Sequence, residues 1–339
     1  MTAPVPVAED VAWLRVDDAA HVGRARRVAT GLAERLAFDE PRVAEIGLAV
    51  TEIVTNLHKH AGEGHLLVRA LRADDLAAVE VVAVDGGPGI HDTGRAMLDG
   101  ESTTGTLGIG LGVVARNADH FDVFSRRGRG TVLSALFHPR RRGAPAFPAD
   151  PAVAGMTRPF TGEEVCGDAY AVRRTADGRL WVMMCDGSGH GSLAATASRA
   201  AVRVFAEDEP TAPEAVVAKL HSALRGTRGG AVAVAVLDPV RGAVRFAGLG
   251  NIAGAVLTDG RKRTMVSVPG IAGFQARTIH AFDHELPPGA RVVLHSDGLT
   301  ERWSVEDVAG IASPLLLAAS LMRDAGVRRD DASVLVVEP

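Results

Sequence analysis

Between Asp39 and Gly64 the chain reads "DEPRVAEIGLAVTEIVTNLHKHAGEG", and Val43, Ile46, Val50, Ile53 and Leu57 recur every three or four positions. That period predicts one long helix with an apolar stripe facing a core. Asp39 or Glu40 caps it, Pro41 suits its first turn and Gly62 ends it. Glu52 and Asn56, four apart, share a face beside the stripe, with Lys59 and His60 a turn further on. The pattern then changes. "HLLVRALR" and "LAAVEVVAVDGGPGI" read as strands, "LGVVARNA" as a short helix and "FDVFSRRGRGTVLSALF" as a hairpin. Just before that short helix runs "DGESTTGTLGIGLG", residues 99–112. Glycines there let backbone amides approach an anion closely. No Lys follows, so the G-x-x-x-x-G-K-[ST] phosphate loop is excluded.

Periodicity lapses over residues 138–155, "HPRRRGAPAFPADPAVAG", where four prolines and an arginine cluster read as a linker. Beyond it, "EEVCGDAYAVRRTADGRLWVMMCDGSGHGS" predicts strand, turn and strand, then a Gly-rich entry into the helix "LAATASRAAVRVF". "RVVLHSDGLTERW" and "RRDDASVLVVEP" supply two further strands. Asp168, Asp186, Asp297, Asp330 and Asp331 all fall at the ends of these apolar runs. Any one of them is an ordinary turn residue. Acids at the ends of buried strands are costly unless they meet a cation, and carboxylates from several segments suit a hard divalent ion.

Length and charge narrow the picture. At 339 residues two domains are expected, and a net charge of −4 without a basic excess argues against a nucleic-acid partner. The N-terminal stretch lacks a signal-peptide pattern, and no apolar run is long enough for a bilayer, so the expected location is cytoplasmic with no membrane partner. Cys166 and Cys185 then read as reduced core thiols.

The order of the first-half motifs carries more than any one of them. Glu-x-x-x-Asn on a helix, Asp-x-Gly-x-Gly after a strand and Gly-x-Gly-x-Gly before a helix resemble the GHKL ATP-binding family, over roughly residues 10–137. Within it, "DGGPGI" and the 99–112 segment look most like the RsbT-like anti-sigma serine kinases. The resemblance implies that Asn56 coordinates Mg²⁺ between the ATP phosphates and that Asp85 receives the adenine amino group. It further implies that Gly87 and Gly89 shape the base pocket, that Gly108, Gly110 and Gly112 wrap the phosphates, and that Thr131 closes the pocket. Glu52 would be the base that orients an incoming serine hydroxyl.

In the second half "CGDAY", "CDGSGHGS", "GLGN", "HSDGLTE" and "DDAS" follow one another as in the SpoIIE branch of metal-dependent (PPM) protein phosphatases, of RsbX-like type. The resemblance implies that Asp186 bridges two Mn²⁺ or Mg²⁺ ions, with the Gly187 carbonyl as a further ligand. Asp168 would complete one ion, and Asp297 and Asp330 the other, with Asp331 as the alternative for that last place. His190, in the Gly-rich turn after Asp186, reads as stabilising its loop rather than as a general acid. The family's Gly-Asp-x-x-Asp is broken by Ala171, and its usual "AGH" reads Gly248-Leu249-Gly250-Asn251.

The expected fold is α/β throughout: a GHKL two-layer sandwich over residues 1–137, a linker over 138–154 and a PPM four-layer αββα sandwich over 155–339. The expected function is a bifunctional switch enzyme, serine/threonine kinase and phosphatase, acting on STAS-domain regulators, with a homodimer left open. Two rivals remain. One is a phosphatase whose ATP domain only senses nucleotide or docks a regulator. The other is a partner-switching binding protein with both sites vestigial.

Overall fold

The computed structural model describes residues 5–97, 110–140, 147, 152–207, 211–258, 260–327 and 329–339. The chain divides into two compact units, Pro6–Ala149 and Asp150–Pro339 with Met1–Val5.

The first unit runs β1 (Val7–Val16), α1 (Ala20–Arg35), α2 (Glu40–Asn56), β2 (Gly64–Ala73), β3 (Leu76–Asp85), α3 (Thr93–Ala96), α4 (Gly110–Asn117), β4 (His120–Arg126) and β5 (Gly130–Phe137). Its strands form one antiparallel sheet in the order β1-β2-β3-β5-β4. Ala25, Ala29 and Leu32 of α1, Ile46, Val50 and Ile53 of α2, and Leu111 and Val114 of α4 bury against Leu66, Val68, Val81 and Leu133 of the sheet. This is the two-layer α/β arrangement.

The helix beginning near Asp39 is real and capped as expected: Asp39 accepts the Arg42 amide at 2.9 Å, with proline in the first turn. It does not run regularly to Gly62. After Asn56, residues Leu57–Ala61 widen into a π turn, and Gly62 at φ 78° closes it. Such widened turns are rare and recur at functional sites. Phe147, inside the stretch expected to be linker, buries against Leu71, Ala73, Ala78 and Leu136.

The second unit runs β6 (Val153–Arg158), β7 (Asp168–Arg174), β8 (Leu180–Gly187), α5 (Gly191–Glu207), α6 (Pro213–Ala223), β9 (Gly230–Asp238), β10 (Ala243–Leu249), β11 (Ala253–Thr258), β12 (Arg261–Met265), β13 (Gly270–Ile271), β14 (Gln275–Ala276), β15 (Phe282–Glu285), β16 (Arg291–His295), α7 (Val305–Val308), α8 (Pro314–Asp324) and β17 (Ala332–Val337). Two five-stranded antiparallel sheets, β15-β10-β9-β8-β7 and β12-β11-β16-β17-β6, pack face to face. Leu180, Val182, Met184 and Phe246 of one meet Val256, Leu294 and Leu335 of the other. The alternate residues Trp181, Met183 and Cys185 bury beneath Ala197, Ala201, Phe205, Val216 and Leu220 of α5 and α6. Helix α8 covers β17 and β6. The result is four layers, αββα. Strand β6 begins at Val153, within the expected linker.

Candidate functional site

In β8, period-two alternation carries Leu180, Val182 and Met184 into the space between the sheets, and Asp186 continues that row at the strand's end. Across the ladder Asp168 pairs with Asp186, and Tyr170 and Val172 on the same face of β7 pack against the inter-sheet core. Leu335 and Val337 of β17 point inward, so Ser333 does too; Val292 and Leu294 of β16 bring in Ser296 likewise. Two carboxylates and two hydroxyls thus converge where both sheets end.

Asp168 is 4% exposed, and neither of its oxygens has a hydrogen-bond partner among the described residues. Burial pushes its pKa up to about 7, helped by the charges of Asp331 and Asp297; the nearby hydroxyls of Ser296 and Ser333 pull it down without closing a hydrogen bond. Burial likewise pushes Asp186 up to about 9, with Asp168, Asp297 and Asp330 adding like charge. Asp297 is raised by partial burial and by Asp330. Asp186, Asp297 and Asp330 line one cavity of about 450 Å³, together with Gly189, His190 and Asn251.

Among the described residues no three His, Cys, Asp or Glu side chains are arranged to hold a metal ion as they stand. The donor set nevertheless fits one. An acid buried without a donor, beside others that raise its pKa, lacks only a cation to neutralise it. Oxygen ligands of this kind suit Mg²⁺ or Mn²⁺.

Asp331 stands differently. Its two oxygens accept the Phe160 amide at 2.7 Å and the Gly167 amide at 2.8 Å, and it is 2% exposed. Gly187 ends β8, its amide on the Gly167 carbonyl at 3.2 Å. His190 Nδ1 is 2.9 Å from Glu163 and its ring stacks on Phe160 at 4.5 Å, which ties down the turn after Asp186. Ala171, three residues past Asp168, points to the opposite face and packs under the helices, so an acid there would not reach the carboxylates. Burial raises both cysteine thiols, and Cys166 donates to the Arg158 carbonyl. Neither is poised as a thiolate.

Sequence reasoning missed two contributors. Asn251 Nδ2 donates to Asp297 at 2.6 Å, from the position where the family's motif has His. The Asp297 loop is also braced from behind. His295 makes a 2.8 Å bond to the Ser296 carbonyl and receives Trp303 Nε1–H at 3.3 Å, while Lys262 lies 3.5 Å over the Trp303 ring. The adjacent motif "GLGN" was the signal for Asn251; nothing local flags the His295–Trp303 brace.

In the first unit, Glu52 and Asn56 face the N-terminus of α4. A Cβ on Gly110 would come within 3.1 Å of Asn56 Nδ2 and 3.4 Å of Glu52 Oε2, so the glycine keeps a gap open beside both. Free amides at a helix N-terminus favour an anion. Asp85 ends β3 and accepts the Gly87 amide at 2.8 Å and the Thr131 amide at 3.2 Å on one oxygen. Thr131 Oγ1 lies 2.9 Å from Ser125 Oγ, which also accepts the Ile90 amide. Gly89 has φ 75°, and a Cβ there would meet the Arg126 carbonyl at 2.5 Å. Gly112 is buried in α4. Gly108 and the rest of residues 98–109 lie outside the described residues.

Buried Arg42, also missed, fixes the far end of α4. It donates to the Asn117 carbonyl at 2.6 Å and to Asp119, and to the His138 carbonyl at 3.2 Å. No helix among the described residues is long and apolar enough to cross a membrane.

Residues 16–137 match the family model of the histidine kinase-like ATPase domain, and residues 176–339 that of Stage II sporulation protein E (SpoIIE). The serine/threonine-protein kinase RsbT of Bacillus subtilis is 35% identical over 112 residues, 33% of this chain and 84% of that protein. An anti-sigma F factor of Caldanaerobacter subterraneus is 34% identical over 115 residues, 32% of this chain and 79% of that protein. A solved structure described as "The bacterial stressosome: a modular system that has been adapted to control secondary messenger signaling" superposes with TM-score 0.52 and 29% identity, over 55% of this chain and 97% of the other. RsbX in complex with magnesium superposes with TM-score 0.48 and 18% identity, over 54% of this chain and 92% of the other.

Proposed function

Since this chain belongs to the histidine kinase-like ATPase family of RsbT and anti-sigma F factor, and joins a SpoIIE phosphatase domain to it, we propose that it is a two-domain switch controlling the phosphorylation of a partner protein. The second unit removes phosphate from serine or threonine, the first binds ATP and adds it, and the stretch between β5 and β6 joins them.

In the phosphatase, Asp168, Asp186, Asp297 and Asp330, with the Gly187 carbonyl, would hold two divalent ions, Mn²⁺ or Mg²⁺, with Asp186 shared between them. Bound divalent cations supply Lewis acidity, polarising the phosphate and making water a better nucleophile. The net reaction joins a water oxygen to phosphorus, breaks the P–O bond to the side chain, and leaves inorganic phosphate and a free hydroxyl. Asp331 holds the Phe160 and Gly167 amides and so positions the wall behind Asp168. Asn251 holds Asp297 in orientation. The observation that carries this reading is the Asp168 carboxylate, buried opposite Asp186 with no donor to either oxygen among the described residues.

In the first unit Asp85 would accept the adenine amino group beside Gly87, Gly89 and Thr131. Asn56 would hold Mg²⁺, and Gly108, Gly110 and Gly112 would surround the phosphates. Glu52, beside Asn56 at the same gap, takes the proton of the partner's hydroxyl. The relatives point to STAS-domain proteins of sigma-factor or stressosome control as that partner.

The deciding experiment is phosphate release from a phosphorylated STAS protein by the full-length chain. Release should require Mn²⁺ or Mg²⁺, stop in chelator, fall at least a hundredfold in Asp186→Asn and survive in Cys166→Ser. Wild-type rates in folded Asp186→Asn would overturn the reading.

A further inference from the structure

The short link before β9 presents a cation that no described residue neutralises. Arg228 is exposed and, among the described residues, makes no ion pair or hydrogen bond. Its backbone, in contrast, is firmly held. Thr227 Oγ1 donates to the Leu224 carbonyl at 2.7 Å and accepts the Gly229 amide at 2.9 Å. The Gly229 carbonyl accepts the Ser188 amide at 2.9 Å, and Gly230 and Ala272 exchange both backbone hydrogen bonds, at 3.1 and 2.8 Å. The arginine therefore stands on a segment tied to two walls of the acidic cavity: the turn after Asp186 and the β13–β14 hairpin. Its guanidinium reaches over that turn, since a Cβ on Gly189 would lie 3.1 Å from Arg228 Nη1, and Gly189 lines the cavity with Asp186, Asp297 and Asp330.

A cavity lined by carboxylates repels a phosphate monoester dianion. Divalent cations held by those carboxylates would offset this for the phosphate oxygens that reach them; the remaining oxygens need a separate positive partner. A guanidinium is suited to that place. It stays charged at every working pH, and its planar fork can bond two phosphate oxygens at once. An arginine already in an ion pair would have to break it first, whereas Arg228 has none to break among the described residues.

We propose that Arg228 receives the phosphate group of the substrate at the cavity mouth, as a binding residue for phosphoserine or phosphothreonine. This rests on the phosphatase reading above. The test uses the full chain with Arg228→Ala and Arg228→Lys, in Mn²⁺, with two readouts. Inorganic phosphate affinity by calorimetry should fall at least tenfold in the alanine variant and less in the lysine variant. On a phosphorylated peptide, KM should rise at least tenfold while kcat changes less than threefold, and manganese affinity should be unchanged. Phosphate affinity equal to wild type in Arg228→Ala overturns the proposal, as does a wild type that binds no phosphate. A wild type that binds phosphate through Arg228 yet hydrolyses no phosphoprotein upholds the binding role and overturns the phosphatase reading alone.

Discussion

Asp168 and Asp186 are direct partners across the antiparallel β7–β8 ladder, two carboxylates side by side on the face between the sheets. Like charges directly opposite each other on a sheet are destabilising, and here one of the pair is also buried. A fold that keeps such a pair holds a site, not a stabilising contact.

That relationship predicts the behaviour of the metal-free protein. Both groups bind protons more tightly folded, at about 7 and about 9, than at their ordinary value of 3.8. Wherever the folded state binds more protons, stability falls as pH rises. In chelator the melting temperature should therefore decline from pH 5 toward pH 9. Asp168→Asn should raise the unfolding free energy at pH 8 by on the order of 1 kcal/mol or more, and the melting temperature with it, and should blunt the stabilisation that Mn²⁺ gives the wild type. Thermal unfolding with and without Mn²⁺ checks both. An Asp168→Asn melting point below wild type in chelator would mean that the carboxylate has an unseen structural partner.

The neighbours Asp330 and Asp331 should separate cleanly. Asp331 serves two backbone amides, and a buried hydrogen bond to a charged group contributes about 1.5–3 kcal/mol. Asp331→Asn should lower the melting temperature by several degrees and reduce activity only in proportion to lost structure. Asp330→Asn should leave the melting temperature within about 2 °C in chelator and cut hydrolysis at least tenfold, with partial recovery at high Mn²⁺. Melting curves and phosphate release on the two variants distinguish them; the reverse pattern would exchange their roles.

These cases mark what the chain discloses on its own. The apolar stripe of α2 was legible because Ile46, Val50 and Ile53 repeat at helical spacing and a buried helix face imposes that spacing. The widened turn at Leu57–Ala61 was not, since its composition is that of an ordinary helix end. The acids at strand ends were visible as a set. The preference for Asp330 over Asp331 rests on the resemblance alone, because both lie just before β17, where no strand alternation dictates which way a side chain points. Arg42 looks like a solvated first-turn residue. Its burial depends on Asn117, Asp119 and His138, which only folding brings to it.

For the nucleotide site the test is steric. A methyl at Gly110 would press on Asn56 Nδ2 at 3.1 Å, displacing the side chain assigned to Mg²⁺. Gly110→Ala should weaken Mg-ATP binding about tenfold or more without loss of fold, because alanine favours a helix relative to glycine. Asp85→Asn should weaken it comparably by turning a charged acceptor into a neutral one. Calorimetric titration with Mg-ATP reads both. Unchanged affinity in Asp85→Asn would remove the base from that pocket, and unchanged affinity in Gly110→Ala would move the phosphates elsewhere.

Glu52 decides between kinase and nucleotide sensor. It lies one helical turn before Asn56 and borders the same gap beside Gly110. A carboxylate there can take the proton of an incoming hydroxyl, and a positioned general base contributes about 10²–10⁴ in rate. Glu52→Gln keeps size and hydrogen-bonding reach but removes the basicity. If the domain is a kinase, phosphoryl transfer to a STAS-domain partner should fall at least tenfold while Mg-ATP affinity stays within about twofold of wild type. Loss of an interaction made only in the transition state gives this split. Transfer at the wild-type rate in Glu52→Gln would assign the base elsewhere. Normal ATP binding with no transfer by the wild type, to any phosphorylatable STAS partner, would make the domain a sensor, and nucleotide should then change the phosphatase rate instead.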